Sequence, residues 1–205
     1  MVKASQEIFQ CADLVTDRFH VVRLSGEAAQ QTRIDQRWKE IKIENEAIIE
    51  ARKKGIRYQP EILDNGDTPK QLLARSRYLL YKLPHQWTAK QIHRAALLFK
   101  RYPHIEKAYN LHLNFRQIYE CQGVENARNA LEDWLKLVRE SGIEYFESVA
   151  QTIINHWERI LAFFKQRATN ANAESLNAQI KLFRTNLRGV KDTQFFLFRL
   201  EKIFA

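Results

Sequence analysis

The sequence predicts a mostly α-helical protein, and three observations support this prediction. The 205 residues include only 6 glycines and 4 prolines, which leaves little material for a turn-rich β protein. A hydrophobic fraction of 45% with 12 Phe, 7 Tyr and 4 Trp indicates a folded interior and excludes a disordered chain. Apolar residues also recur at three-, four- and seven-residue steps through most of the chain.

The charge of the chain indicates a polyanionic partner. A formal net charge of +9 is most economically explained by nucleic acid, although a basic but otherwise ordinary surface stays open. Two cysteines, Cys11 and Cys121, are too few for a disulfide framework. No signal peptide is recognisable, and no apolar run approaches the roughly 20 residues of a membrane helix. We therefore expect a soluble, cytoplasmic protein without membrane contact.

The N-terminal part is predicted to be a short strand followed by a long helix. Residues 12–16 are partly β-branched and end at Asp17, which is either a carboxylate at a strand tip or an ordinary helix cap. The helix that follows is expected to stop near Gly55 and to expose a charged face to solvent. Its predicted apolar stripe consists of Ile34, Trp38, Ile41 and Ile48.

Residues 56–157 are predicted to form an array of helices. A loop from Gly55 to Pro69 precedes a helix that should begin at Thr68-Pro69 and end at Pro84. Thr88 to Gln91 reads as a capping box for the next helix, and three more are expected before residue 157. Residues 160–164 either extend the last of these helices or form a short buried strand.

Residues 169–189, TNANAESLNAQIKLFRTNLRG, predict an amphipathic helix with chemistry on one face. At about 100° per residue, a carboxylate, an amide and three cations share this face. These residues are Glu174, Asn177, Lys181, Arg184 and Arg188. Asn170 and Asn172 could cap the first turn. The pattern suits a metal ion and a phosphate backbone, and it equally suits a plain surface helix, which is the commoner case. A final helix is expected over 192–204.

The common catalytic motifs do not occur in the sequence. It contains no glycine-rich phosphate loop, no CxxC pair and no HExxH, and its six histidines show no metal-ligand spacing. A Ser-His-Asp arrangement stays open, but no nucleophile lies in a recognisable elbow. Two carboxylates, Asp17 and Glu174, remain as candidates because each lies beside basic and amide groups.

Three segments resemble insertion-sequence transposases of the ISL-three family. They are DRFHVVRL at 17–24, SRYLLYK at 76–82, and TNANAESLNAQIK with LRGV within 169–190. The resemblance covers residues 12–204 and implies a DDE catalytic domain with a ribonuclease H-like fold. It implies that 1–205 is part of that domain, in which a helical array (56–157) is inserted into the C-terminal remnant of the α/β fold (12–55 and 158–205). At most two short strands are expected, at about 12–16 and 160–164.

The resemblance also assigns roles to individual residues. Asp17 would be the second catalytic acid and Glu174 the third, and both would be ligands of Mg²⁺ or Mn²⁺ in two-metal phosphoryl transfer. The expected partner is transposon-end DNA, with an intact transposase or a second copy of this chain as a further partner. The expected nucleic-acid contacts are Arg18, His20, Asn170, Asn177, Lys181, Arg184 and Arg188.

One feature departs from the family pattern. The family's first Asp lies on an earlier strand, whereas only 16 residues precede Asp17, and among them Asp13 and Glu7 are the only acids. Asp13 shares a segment with Asp17 and cannot replace a ligand from a neighbouring strand. We therefore expect a truncated transposase that is inactive alone. A non-catalytic DNA-binding or regulatory remnant is the alternative, and an unrelated basic helical nucleic-acid module is the third interpretation.

Overall fold

The computed structural model describes residue 16, residues 18–166 and residues 171–204. Within these ranges, the side chains of residues 166, 171–174, 176–177 and 204 are not described. The chain divides into two compact units, Met1–Gln166 and Arg167–Ala205, and each is considered by itself.

Helices account for nearly all regular structure in the described ranges, which confirms the mostly α prediction and leaves no strand among them. In the first unit they are α1 Arg18–Lys53, α2 Pro69–Arg75, α3 Ala89–Arg101, α4 Pro103–Ile118, α5 Val124–Ser141, α6 Glu144–Asn155 and α7 Trp157–Gln166. Two 3₁₀ turns, Leu79–Tyr81 and Pro84–Gln86, connect α2 to α3. No described helix is both long and apolar enough to cross a membrane.

Helix α1 is the central element of the first unit, because α2, α4 and α6 all pack against it. Small side chains permit this close packing: Ala28 and Ala29 are buried, and a Cβ at Gly26 would lie 3.3 Å from the His112 ring on α4. A larger residue at position 26 would therefore push α1 and α4 apart.

The first unit has two apolar cores. The larger joins α1, α4, α5, α6 and α7 around Trp134, Phe115 and Phe146. The indole Nε1 of Trp134 donates a hydrogen bond to the Leu111 carbonyl at 2.8 Å, so its polar atom is satisfied inside the core. The smaller core lies under α2, α3 and the first 3₁₀ turn. It contains Leu72, Leu73, Leu79, Leu80, Ala95, Leu98, Tyr102, Ile105 and Tyr109.

Several local predictions can be compared with these elements. The capping box is confirmed, since the Gln91 amide N–H donates to Thr88 Oγ1 and the Thr88 amide N–H donates to the Gln91 side chain. The strand alternative at 160–164 is wrong, because these residues lie within α7, where four of them are buried in the larger core near Tyr119. Residues 12–15 of the other predicted strand lie outside the described residues.

The helix expected between Pro69 and Pro84 is shorter than predicted. It ends at Arg75, and Ser76 Oγ donates to the Leu72 carbonyl four residues back. This side-chain bond competes with helix continuation, and the chain then proceeds through 3₁₀ turns. Residues 76–82 therefore form a bent connection across the surface of α1 and not the second half of a helix.

The faces of α1 also differ from the prediction. The charged face is partly packed: Glu40 accepts a hydrogen bond from the Tyr102 hydroxyl at 2.9 Å, and Glu44 pairs with Lys70 at 2.8 Å. Trp38, expected in the buried stripe, is 63% exposed. Because charges and apolar groups alternate closely along this helix, periodicity alone did not identify the side that its neighbours cover.

The second unit contains helices α8 Ala171–Asn186 and α9 Thr193–Phe204. Their rings meet where Phe183 and Phe196 stack at a centroid distance of 5.7 Å. The turn between them uses left-handed backbone at Arg188 (φ 54°) and Gly189 (φ 108°), which ends α8 as the sequence predicted. Asp192 caps α9 by accepting from the Phe195 amide at 3.0 Å.

Candidate metal and nucleic-acid site

The two candidate acids lie at the margins of the described structure. Asp17 and Asn170 fall outside the described residues, and the side chains of Glu174 and Asn177 are likewise not described, although their backbone belongs to α8. Among the described residues, no group of three or more His, Cys, Asp or Glu side chains is arranged to hold a metal. The pairing of Asp17 with Glu174 therefore stays a prediction.

The three predicted cations of α8 lie together. Lys181, Arg184 and Arg188 line one open concavity of about 520 Å³, with Thr185 and Gly189 between them. Helical spacing places the first two on one face, and the left-handed turn at the end of α8 brings the third to the same face. Each of these cationic side chains is exposed.

The chemistry of this concavity suits an anion. No carboxylate is among its described lining residues, so its cations are not neutralised locally. The Thr185 hydroxyl donates to the Lys181 carbonyl at 2.9 Å within the same helix, so its hydrogen is not available to a ligand. Binding of an anion would therefore depend on the charged side chains. Guanidinium and ammonium donors around an open surface can contact successive phosphates of an extended chain.

A cationic and aromatic surface accompanies this concavity and was not identified from the sequence. The Arg199 guanidinium lies 5.7 Å from the Phe183 ring centroid and 6.0 Å from that of Phe195. Lys202 lies over the Phe198 ring at 5.8 Å. The four-residue spacing in FFLFRLEK was the available signal, because residues four apart meet on a helix.

The predicted contacts at the start of α1 have partners within the first unit. Arg18 Nη2 pairs with Glu120 Oε1 at 2.7 Å, and its guanidinium lies 5.6 Å from the Tyr119 ring centroid. His20 is exposed and meets the Phe19 ring edge-on. The backbone amide of Thr16, next to Asp17, donates to the Arg159 carbonyl of α7 at 3.1 Å. This bond links Thr16 to α7.

Comparisons with known proteins agree on one family. The sequence model DDE_Tnp_ISL3, described as "Transposase", matches residues 1–200. Over 191 residues the chain is 27% identical to the "Transposase for insertion sequence element IS1557" of Mycobacterium tuberculosis (strain ATCC 25618 / H37Rv), covering 92% of this chain and 41% of that relative.

A second relative gives the same pattern. The chain is 22% identical over 194 residues to the "Transposase for insertion sequence element IS1001" of Bordetella parapertussis, covering 94% of this chain and 42% of the relative. The chain thus spans about two fifths of the length of the curated relatives that it matches. No solved structure matches it significantly.

Proposed function

Since the chain belongs to the ISL-three family of DDE transposases, we propose that it supplies the second and third carboxylates, Asp17 and Glu174, of a DNA strand-transfer site. The observation that carries this proposal is the family match over residues 1–200, which includes both acid-bearing motifs. The proposal includes the ribonuclease H-like origin of residues 12–55 and 158–205, the helical insertion at 56–157, and a cytoplasmic location.

The donor set fits a hard divalent cation. Asp17 and Glu174 would offer carboxylate oxygens, which Mg²⁺ prefers, and Mg²⁺ is commonly held by one or two carboxylates together with substrate phosphates. A bound Mg²⁺ or Mn²⁺ would supply an activated water or 3′-hydroxyl and would stabilise the leaving oxygen. The two acids would hold the metal, and the surrounding cations would hold the DNA.

The basic concavity of α8 would position the DNA backbone. Lys181 and Arg184 follow Glu174 on α8, and Arg188 lies in the turn after this helix. A DNA strand that reaches the acid would pass along these cations. Their exposure and the uncompensated positive charge of the concavity support this role. Such contacts position DNA without reading its sequence.

These 205 residues alone are proposed to bind DNA without cleaving it. The family pattern requires three acids, and this sequence matches only the second and third of them. An intact transposase that supplies the first acid would be the natural partner, and a second copy of this chain is a further partner. A regulatory protein that occupies transposon ends without cutting them is the second candidate function. It is favoured by the same observation, that the sequence matches only two of the three catalytic acids.

Cleavage of transposon-end DNA with Mg²⁺ or Mn²⁺ tests the inactivity of the chain. We expect no nicked or joined product. Product that disappears with Glu174→Gln would contradict the inactivity while supporting the assignment of the acid. Binding of Mn²⁺, followed by electron paramagnetic resonance, should weaken in Glu174→Gln and in Asp17→Asn. The exposed acid Glu201 offers a matched control, because Glu201→Gln removes the same charge from the second unit.

A salt series tests the basic concavity. Lys181→Ala and Arg184→Ala should each reduce the slope of log binding constant against log salt by about one. Lys191→Ala removes an equal charge from an exposed residue that does not line the concavity, and it should change the slope less. Equal slopes for all the variants and the wild type would show that these cations do not contact DNA and that α8 is an ordinary surface helix.

A further inference from the structure

Three arginines converge where α1 meets the bent segment 76–82, and we call Arg33, Arg37 and Arg77 the arginine cluster. Arg33 and Arg37 are one helical turn apart on α1. Gln30 links the two segments, since its Nε2 donates to the Arg77 carbonyl at 2.7 Å and its Oε1 accepts from Arg33 Nε at 2.8 Å. These hydrogen bonds hold the Arg33 side chain and the Arg77 backbone in place.

Described carboxylates do not neutralise the arginine cluster. No salt bridge joins its members to any Asp or Glu in the part of the chain that the structure describes. Two nearby acids of α1 are engaged elsewhere: Asp35 accepts from the Tyr145 hydroxyl, and Glu40 accepts from Tyr102. The cluster is therefore a local excess of positive charge.

Arg37 and Arg77 are close enough to Arg33 to disfavour its charge. Arg33 is only 5% exposed and donates Nη1 to the Leu73 carbonyl at 2.8 Å. Burial lowers the pKa of Arg33, and the charges of Arg37 and Arg77 lower it further. Mutual repulsion without a carboxylate opposes folding, so such a cluster suits an anion from outside the fold.

Arg37 provides an independent observation. Its Nε is buried and has no hydrogen-bond partner. Buried donors in folded proteins are nearly always paired, so this N–H, one helical turn from Arg33, has the capacity to donate to an acceptor from outside the fold. A phosphate oxygen has the charge and the acceptor capacity that this donor requires.

The exposed side of the arginine cluster suits an extended ligand. The Arg77 guanidinium lies 5.4 Å from the Tyr78 ring centroid, and Tyr78 is 68% exposed. Tyr81 is 43% exposed, and its carbonyl faces Arg116 Nη1 at 3.4 Å, which adds a fourth cation nearby. Exposed cations and hydroxyl-bearing rings can contact a passing phosphate backbone.

We propose that the arginine cluster binds backbone phosphates of duplex DNA, and that segment 76–82 is therefore a second DNA-contact element on the first unit. Residues 76–82 are one of the three segments that resemble the transposase family, but this segment contains neither the two acids nor the α8 cations, so the proposed function does not account for it. The inference shares with the proposed function the choice of DNA as ligand. It concerns a different surface and does not depend on Asp17 or Glu174.

The test uses two arginines that are two residues apart. Arg75 pairs with Asp67, whereas Arg77 belongs to the arginine cluster. Arg77→Gln in the full chain should weaken binding of a duplex of mixed sequence by about tenfold, as expected for a lost charged hydrogen bond. It should also reduce the salt slope by about one. Arg75→Gln removes the same net charge and should change affinity no more than about twofold.

Arg37→Gln is the second variant and should weaken DNA binding in the same direction. Far-ultraviolet circular dichroism at the assay temperature confirms that each variant is folded. Equal affinities for Arg77→Gln, Arg37→Gln and Arg75→Gln would overturn the proposal. If Lys181→Ala loses affinity for DNA and Arg77→Gln does not, the proposal for the arginine cluster would be overturned while the proposed function would stand. Inorganic pyrophosphate, single-stranded RNA and unlabelled mixed-sequence duplex can each be tested as competitors of the bound duplex. If pyrophosphate or RNA displaces it at a lower concentration than the unlabelled duplex does, the choice of duplex DNA as ligand would be overturned.

Discussion

Two groups of arginines in the first unit have opposite surroundings. One group, Arg75 and Arg94, surrounds Asp67, a carboxylate that is only 1% exposed. The other is the arginine cluster, which has no described carboxylate partner. The first group thus has its anion inside the fold, whereas the second leaves its positive charge available to a ligand. Because all these residues are arginines, their surroundings decide which of them have a structural role and which can bind a ligand.

Local backbone geometry produces this difference over two residues. Helix α2 ends at Arg75, and the bend at Ser76 separates Arg75 from Arg77. Arg75 reaches back to the loop that holds Asp67, while Arg77 faces α1, where Gln30 binds its carbonyl.

Removing the internal anion should have the largest effect on stability. Asp67→Asn leaves Arg75 and Arg94 without their carboxylate and weakens the contact with the Asn65 amide, which donates to Asp67 at 2.9 Å. We expect the free energy of unfolding to fall by about 2–3 kcal/mol, which is less than for a fully buried pair because Arg75 is exposed. Urea unfolding measures this loss.

The same loop provides a control for that experiment. Asp64 is exposed, so Asp64→Asn should change the free energy of unfolding by no more than about 0.5 kcal/mol. A similar small change in Asp67→Asn would show that the carboxylate does not stabilise the loop, and the contrast between the two arginine groups would be lost.

A pH titration tests the burial of His112 between α1 and α4. His112 is 4% exposed, and its Nδ1 lies 2.8 Å from Ser25 Oγ. Burial, with a smaller contribution from the charge of Arg116, lowers the pKa of His112 to about 4. The unfolded chain, with a pKa near 6.5, binds the proton more readily than the folded chain.

The sign of the pH effect follows from this difference. The free energy of unfolding is at its full value above about pH 6.5 and falls as the pH drops towards 4, by up to about 1.4 kcal/mol per pH unit. We expect urea unfolding to show a loss of about 2 kcal/mol between pH 7 and pH 5 from this group. His112→Gln should flatten that slope, and His85→Gln, at an exposed residue, should not. Identical slopes in all three proteins would contradict the prediction.

The sequence predicted helices where one local signal dominated. The Thr88 capping box, the Gly189 stop and the positions of Lys181 and Arg184 on one face depend on spacing within a few residues, and the structure agrees with all of them. The family was likewise recognisable, since its motifs are short and linear.

Features that depend on tertiary contacts were not predictable in the same way. Whether 160–164 is strand or helix depends on the core that it enters, and the packing of Glu40 depends on its hydrogen bond with Tyr102, which is 62 residues away. The arginine cluster joins α1 to a segment about 40 residues later, so no local pattern revealed it. The roles of Asp17 and Glu174 stay predictions.

The smallest expected change in the free energy of unfolding comes from comparing one arginine of each group directly. Arg75→Gln should lower the free energy of unfolding by about 1 kcal/mol, because it removes a charged partner of the buried Asp67. Arg77→Gln should leave it unchanged or raise it by a few tenths of a kcal/mol, because it relieves repulsion from Arg33 and Arg37. Urea unfolding at low salt gives the clearest contrast, since a Debye length of about 10 Å at 0.1 M already screens much of the repulsion. Equal losses in both variants would show that Arg77 also has an internal stabilising partner, and the positive charge of its cluster would then need no external anion.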